Sequence, residues 1–236
     1  MTQPTRTVTV PAQRLLGWVR GFGERHGTVR ARPVPLGFDL QAADGALAHV
    51  SAANGAVPFP GWPVADDAPA GPDPGPLAEA LAEVLAAHLL VERDVALLVV
   101  RRGGYAAARL HGGTIVASKV GSRYVQGRTA AGGWSQHRFA RRRDNQTTGL
   151  LGAATQVAAR ILGDGPAQAL VTGGDRALID RMLAEPALRA VAALPRGPHL
   201  ALGDPRADVV RAVPDLLRSV RITLTEPPPS TAPGER

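Results

Sequence analysis

The segment VALLVVRRGGYAAARLHGGTIVASKV, residues 95–120, decides the fold. It contains three short runs rich in apolar residues, Val95–Arg101, Tyr105–Leu110 and Thr114–Val120, and a pair of glycines separates each run from the next. Runs of this length with glycine-rich breaks are typical of strands joined by hairpin turns. The segment therefore predicts three consecutive strands that pair as hairpins.

Helical and strand-like patterns alternate around this segment. Leucine and valine recur at spacings of three and four before it, and a longer helical pattern follows it. The order of these patterns predicts an α/β fold, in which one mixed β-sheet is covered by helices. The predicted elements are a helix over Leu77–His88, a long helix from near Gln136 to Leu162, a buried strand at Ala169–Thr172, a helix from Gly173-Gly174-Asp175 to Leu183, strand or loop pieces at Leu188–Leu194 and His199–Leu202, a helix over Asp208–Ser219 and a last strand at Val220–Leu224.

The first 63 residues have a pattern of their own. Thr7–Val10 predicts a short strand, and Pro11–His26 an amphipathic helix. Val34–Leu40 and Ala46–Val50 alternate on either side of a turn and predict a hairpin. We expect residues 1–63 to form a small αβ element, residues 64–76 a linker or exposed loop, and residues 226–236, which are rich in proline, a disordered tail.

Composition narrows the range of functions. Hydrophobic residues make up 44% and charged residues 20%, as expected for a globular protein. The absence of cysteine excludes disulfides, thiolate catalysis and cysteine-bound metals. The six histidines include no pair spaced by four residues, so we predict neither a metal site nor a cofactor. Neither a secretory signal nor an apolar run of membrane-spanning length is visible, and we expect a cytoplasmic location.

Positive charge is concentrated in one part of the chain. The net charge is +7, yet the sixty residues from Arg101 to Arg160 contain eleven basic residues and a single acid, Asp144. The remainder of the chain is therefore net acidic. An arginine-rich coding bias does not remove acids from one stretch, so this asymmetry predicts a surface that binds a polyanion such as RNA.

The most informative stretch is Lys119–Gln146, KVGSRYVQGRTAAGGWSQHRFARRRDNQ, a glycine-containing basic loop that leads into a basic helix. Gly132-Gly133 allows close approach of the backbone to a ligand. Arginines spaced at i, i+3 and i+4 share one face of the helix, and a tyrosine and a tryptophan offer rings to bases. The residues predicted to contact RNA are Lys119, Arg123, Tyr124, Arg128, Trp134, Arg138, Arg141, Arg142 and Arg143.

This stretch resembles the catalytic loop and following helix of the middle domain of eukaryotic and archaeal class-1 peptide release factors. Gly132-Gly133 and Arg138-Phe139-Ala140-Arg141 carry the resemblance. It is closer still to the actinobacterial and Chloroflexi branch of the Vms-like release factors (the VLRF family), which resemble peptidyl-tRNA hydrolases of ribosome quality control. Ala169–Thr172 with Gly173-Gly174 is similar to a strand and loop of the same domain. The resemblance implies a release-factor-like catalytic domain over residues 77–225.

The resemblance also implies a catalytic glutamine. Trp134 stands where the classical Gly-Gly-Gln tripeptide has glutamine, and Gln136 follows two residues later. Vms-like factors displace this glutamine in the same way, so Gln136, Gly132 and Gly133 are the predicted catalytic residues. An amide can position water, and a glycine N–H can stabilise the oxyanion that develops during ester hydrolysis.

The function implied is ribosome-associated hydrolysis of peptidyl-tRNA, which frees nascent chains on stalled large subunits. The implied partners are the large ribosomal subunit and peptidyl-tRNA, and the ribosome would supply part of the site. Two alternatives remain open at this point: a nuclease that cleaves the tRNA acceptor end, and a non-catalytic factor that binds ribosomal or transfer RNA. Gly173-Gly174 lacks the fuller pattern of a nucleotide-binding loop and predicts a plain turn between a strand and a helix.

Overall fold

A computed structural model describes residues 4–53, 74–122, 135–163 and 165–227; for residues 74–75 and 135–144 it describes the backbone alone. The described strands are β1 (Thr5–Pro11), β2 (Val29–Val34), β3 (Gly37–Ala42), β4 (Leu47–Ala52), β5 (Asp94–Arg101), β6 (Gly104–His111), β7 (Thr114–Ser122), β8 (Ala169–Gly174), β9 (Arg196–Leu200) and β10 (Ser219–Thr225). The described helices are α1 (Leu15–His26), α2 (Pro74–Leu90), α3 (Ser135–Leu162), α4 (Arg176–Leu183), α5 (Arg189–Ala192), α6 (Ala207–Arg211) and α7 (Val213–Leu217).

The chain forms two compact units. The first combines residues up to Ala53, the helix α2 and the chain from Asp215 onward, and the second contains Glu92–Pro214. Each unit has its own five-stranded sheet. None of the helices within the described residues is both long and apolar enough to span a bilayer.

The sheet of the first unit is antiparallel, in the order β1-β10-β4-β3-β2. Its strands alternate, so apolar residues such as Phe38, Val50 and Ile222 point to one face. Leu15 and Phe22 of α1 and Leu85 of α2 join the same core. The two helices therefore cover one face of the sheet, and most side chains on the other face are polar.

The sheet of the second unit is mixed, in the order β7-β6-β5-β8-β9. The central strand β5 pairs antiparallel with β6 and parallel with β8, and Val95–Val100 are all buried. A strand that is apolar at every position is typical of one with both faces covered. Leu151, Ala154 and Ala158 of α3 pack on one face together with Met182 of α4.

Most of the predicted elements are present. The three strands of the opening segment and the long helix are confirmed, and so is an α/β fold with a mixed sheet covered by helices. The strand or loop predicted over Leu188–Leu194 is wrong, because this stretch forms a short 3-10 turn and then α5. The helix predicted over Asp208–Ser219 is two short helices, since Pro214 lacks the N–H that would bond to the carbonyl of Val210.

The two units divide the chain differently from the predicted domains. Residues 77–225 were expected to form one domain, but α2 packs in the core of the first unit, and β10 pairs between β1 and β4. The N-terminal element is therefore larger than expected, because it includes helix α2 and the last strand of the chain. Residues 54–73, which include most of the predicted linker, and residues 228–236 of the predicted tail lie outside the described residues.

Candidate nucleic-acid interface

The stretch from Arg101 to Arg160, which we call the basic segment, begins at the carboxyl end of β5. The register pairs Arg101, the last residue of β5, with Gly104, and Gly104 pairs in turn with Ser122, the last residue of β7. The end of β7 therefore lies beside the turn between β5 and β6. The carboxyl ends of adjacent parallel strands, here β5 and β8, are a common location for ligand sites in α/β proteins.

The helix α3 is longer than the sheet on which it packs. Its 28 residues span about 42 Å, whereas the eight residues of β6 span about 27 Å. Among the side chains of α3 that the structure describes, from Asn145 onward, Asn145 is exposed and the buried positions begin at Leu150. Soon after α3 ends, the N–H of Gln168 donates to the carbonyl of Asp94, at the amino end of β5, over 2.8 Å. The first half of α3 therefore lies toward the opposite, carboxyl end of β5.

The predicted catalytic glutamine and helical arginines belong to this first half of α3. Gln136, Arg138, Arg141, Arg142 and Arg143 all have helical backbone, and their side chains lie outside the described part. Because the backbone is helical, Arg138, Arg141 and Arg142 share one face of the helix, as their spacing predicts. The remaining predicted site residues, Arg123, Tyr124, Arg128, Gly132, Gly133 and Trp134, lie outside the described residues.

Lys119 is the predicted RNA-contacting residue whose side chain the structure describes. It lies on the edge strand β7 and is exposed. The register pairs it with Ala107, which belongs to the core beneath α3. Lys119 is thus on the face of the sheet that α3 covers, four residues before the start of segment 123–134, which carries the glycine pair. Its ammonium group is accessible to a phosphate.

Two arginines that were not predicted as site residues lie at the same end of the sheet. Arg101, Arg102 and Gly103, together with Gly174 and Asp204, line an open cleft of about 380 Å³. Arg101 Nη1 is 3.9 Å from Asp204 Oδ1, and both side chains are substantially exposed, so this ion pair contributes little to stability. The sequence does contain a pattern that could have identified these two arginines. They stand immediately before Gly103-Gly104, and a glycine pair at a hairpin turn indicates that the residues before it lie at the end of a strand.

Gly173 and Gly174 were predicted to form a turn, but they are the last two residues of β8, and the chain passes into α4 directly after them. Gly174 has φ +94°, and the N–H of Asp175 donates to the carbonyl of Val100 over 2.8 Å. Asp175 then caps α4, because its Oδ1 accepts from the N–H of Leu178 at 3.2 Å. The carboxylate occupies the helix terminus that a phosphate would otherwise use.

A second polar cluster lies between β8, β9 and α4. The Oγ1 of Thr172 and the Nδ1 of His199 are 2.9 Å apart. Burial, with a smaller contribution from the charge of Arg176, lowers the pKa of His199, so the imidazole is neutral at pH 7. Thr172 is only 8% exposed, which is consistent with a structural hydrogen bond between neighbouring strands. Among the described residues, no group of three or more histidines and carboxylates could hold a metal ion.

Comparisons with known proteins give one family. No curated protein matches the chain. A solved structure described as the Vms1 mitochondrial localization core is similar at 10% identity and a TM-score of 0.37, over 87% of this chain and 80% of that chain. The model of the Actinobacteria/chloroflexi VLRF1 release factor family matches residues 93–223, which include the whole of the basic segment and α3. This chain therefore belongs to the Actinobacteria/chloroflexi VLRF1 release factor family.

Proposed function

We propose that this protein is a ribosome-associated peptidyl-tRNA hydrolase, which frees nascent chains from peptidyl-tRNA on stalled large ribosomal subunits. The observation that supports it most is the position of Gln136. This residue lies in the first turn of α3, three residues after Gly133 in sequence, in a chain that belongs to a release factor family. The proposed activity is cytoplasmic, since it requires ribosomes.

The proposed chemistry is the hydrolysis of an ester by a positioned water. The bond broken joins the peptide carbonyl to the terminal ribose of the tRNA, and water supplies the hydroxyl to the peptide and the proton to the ribose oxygen. The Gln136 amide can accept a hydrogen bond from the water and donate one as well. A backbone N–H near Gly133 can stabilise the oxyanion of the tetrahedral intermediate. No cofactor is needed for these steps.

The basic residues near Gln136 and the glycine pair support binding to the phosphates of RNA. Arg138, Arg141 and Arg142 share one face of α3, and Lys119 is exposed on the strand that leads into the segment. Arg101 and Arg102 add two cations at the same end of the sheet. Phosphate contacts of this kind supply affinity and position, and they carry no sequence information. They fit a substrate whose reacting end is the same for every tRNA.

The products of the reaction test the proposal. Isolated large subunits carrying peptidyl-tRNA are incubated with the full chain, and the tRNA and the peptide are analysed separately. We expect free peptide and intact tRNA that can be aminoacylated again. A tRNA shortened at its 3′ end would establish the nuclease alternative. Binding to the subunits without any release of peptide would establish the non-catalytic alternative.

A further inference from the structure

The first unit has a sheet face that no described element covers. Because its strands alternate, Arg30 and Arg32 of β2, Asp39 of β3, His49 of β4 and Arg221 of β10 all point away from α1 and α2. Threonines of β1 and β10 continue the face, with Oγ1 atoms of opposite residues 3.5 Å apart. We call this surface the open face.

The net positive charge of the described part of this unit is concentrated on the open face. It carries three arginines and one carboxylate, Asp39. The other acidic residues in the described part of this unit lie on helices, in turns or at strand ends away from the face: Glu24, Asp44, Glu79, Glu83, Asp215 and Glu226. Several of them pair with other basic groups, as Glu79 does with Arg20 at 2.7 Å. The described part of the unit as a whole is nearly neutral. The excess of cations on the open face therefore comes from the distribution of the charged residues and not from a general excess of arginine over acidic residues.

The single carboxylate on the open face is already engaged. Asp39 accepts from Arg32 Nη2 at 3.0 Å and lies 2.7 Å from His49 Nδ1. Partial burial acts to raise the pKa of Asp39, but hydrogen bonds and charge attraction from His49 and Arg32 outweigh it and lower the pKa. The carboxylate thus remains ionised and fixes Arg32 and His49 in place. Arg30 and Arg221 are exposed, and neither forms an ion pair within the described residues.

The shape and chemistry of the open face favour the backbone of RNA over a protein. Arg30, Arg32, Gln41, His49 and Thr223 line a groove of about 600 Å³. No tryptophan, tyrosine or phenylalanine of the described strands lies on this face, and Leu47, 44% exposed, is its one large exposed apolar residue. Protein interfaces have apolar and aromatic centres, and single-stranded RNA is held by aromatic stacking. Guanidinium and hydroxyl groups instead match phosphates and 2′-hydroxyls.

We propose that the open face binds the sugar-phosphate backbone of double-helical RNA. It would give the protein a second RNA contact, in a unit built largely from residues that precede the region matched by the release factor family. The wide, shallow minor groove of an A-form helix presents the phosphates and 2′-hydroxyls that arginine and threonine can contact. Binding should depend on salt and show little preference for sequence. This proposal does not require that the protein hydrolyse peptidyl-tRNA.

The test measures the affinity of the full chain for a fluorescent RNA duplex of about 20 base pairs, with no ribosome present. The parent protein for this test carries Arg141→Ala, Arg142→Ala and Arg143→Ala, so that these three arginines of α3 do not contribute to the measured binding. Every variant is made in this parent. Arg30→Ala with Arg221→Ala is compared with Arg14→Ala and Arg25→Ala. The control pair lowers the net charge equally and lies on the helical side of the same unit.

We expect the open-face pair to weaken binding at least about 5-fold and to reduce the slope of log Kd against log salt by about 1 to 2, with the control pair near the parent value. Equal affinities for the two pairs, or no measurable binding by the parent chain, would overturn the proposal. A synthetic acidic peptide that binds more tightly than RNA would assign the face to a protein partner instead.

Folding can be separated from binding in this test. Arg221 donates to the carbonyl of Ala53 at 3.3 Å, so its removal could disturb the end of β4. Arg30→Ala alone breaks no side-chain hydrogen bond or ion pair within the described residues and should still weaken binding about 2-fold or more. Arg30→Lys with Arg221→Lys keeps the charge and should retain most of the affinity. Peptide release on large subunits is measured in a separate assay. Loss of RNA binding by the open face and absence of peptidyl-tRNA hydrolysis can therefore be told apart.

Discussion

Gly174 is the residue on which the geometry at the carboxyl end of the second sheet depends most directly. Its φ of +94° lies where residues with a side chain are strained, and an added Cβ would meet the carbonyl oxygen of Val100. The following residue, Asp175, both bonds to that carbonyl and caps α4. One glycine therefore connects the end of β8 to the start of the helix.

We predict that Gly174→Ala destabilises the second unit by at least about 2 kcal/mol, because it adds backbone strain and a contact with a buried main-chain atom. Chemical denaturation measures the loss. Gly103→Ala is the matched control, since a Cβ there meets nothing within 4 Å, and it should change stability by less than about 0.5 kcal/mol. Equal effects of the two substitutions would contradict the structural role of Gly174.

At the scale of elements, α3 links the core to the proposed site. Its second half contributes Leu151, Ala154 and Ala158 to the core, and its first half carries Gln136 and the arginines. A helix anchored at one end can hold a catalytic group in place over a distance, because the intervening backbone is hydrogen bonded throughout. The position of Gln136 thus depends on the packing of residues about four turns away.

We predict opposite effects for two small substitutions in α3. Gly152 is exposed, and a Cβ there meets nothing within 4 Å, so Gly152→Ala should stabilise the protein by about 0.5 to 1 kcal/mol through helix propensity. Ala154 is 1% exposed, so Ala154→Gly loses both propensity and packing and should cost more than about 1 kcal/mol. Thermal unfolding measures both. A gain from Ala154→Gly would show that this face of α3 is not buried.

The elements that the sequence predicts well are those with strong local patterns. Val95–Val100 is apolar at every position, and glycine pairs separate it from its neighbours, so strands β5, β6 and β7 were recognisable. The strand β2 escaped prediction because it contains Arg30, Arg32 and Pro33 and has no apolar run. Its place is set by pairing with β3, a tertiary interaction that overrides weak propensity.

At the scale of the whole molecule, the part that could not be predicted was that α2 and β10 belong to the first unit. β10 lies more than 200 residues from β1 in sequence, yet the two strands pair along their full length. A local pattern identifies Val220–Leu224 as a strand but contains no information about its partners. Of the predicted site, the helix that begins next to Gln136 is confirmed, whereas the catalytic roles of Gln136, Gly132 and Gly133 remain predictions.

The most direct test of peptidyl-tRNA hydrolysis is the rate of peptide release from peptidyl-tRNA on isolated large subunits, measured for wild type, Gln136→Ala and Gln126→Ala. Gln126 is the matched control, because it is the same residue type in the same basic segment and has no proposed role. We predict that Gln136→Ala slows release at least about 100-fold, with binding to the subunits unchanged, and that Gln126→Ala releases peptide at the wild-type rate. Release by Gln136→Ala at the wild-type rate would contradict the proposed role of this residue.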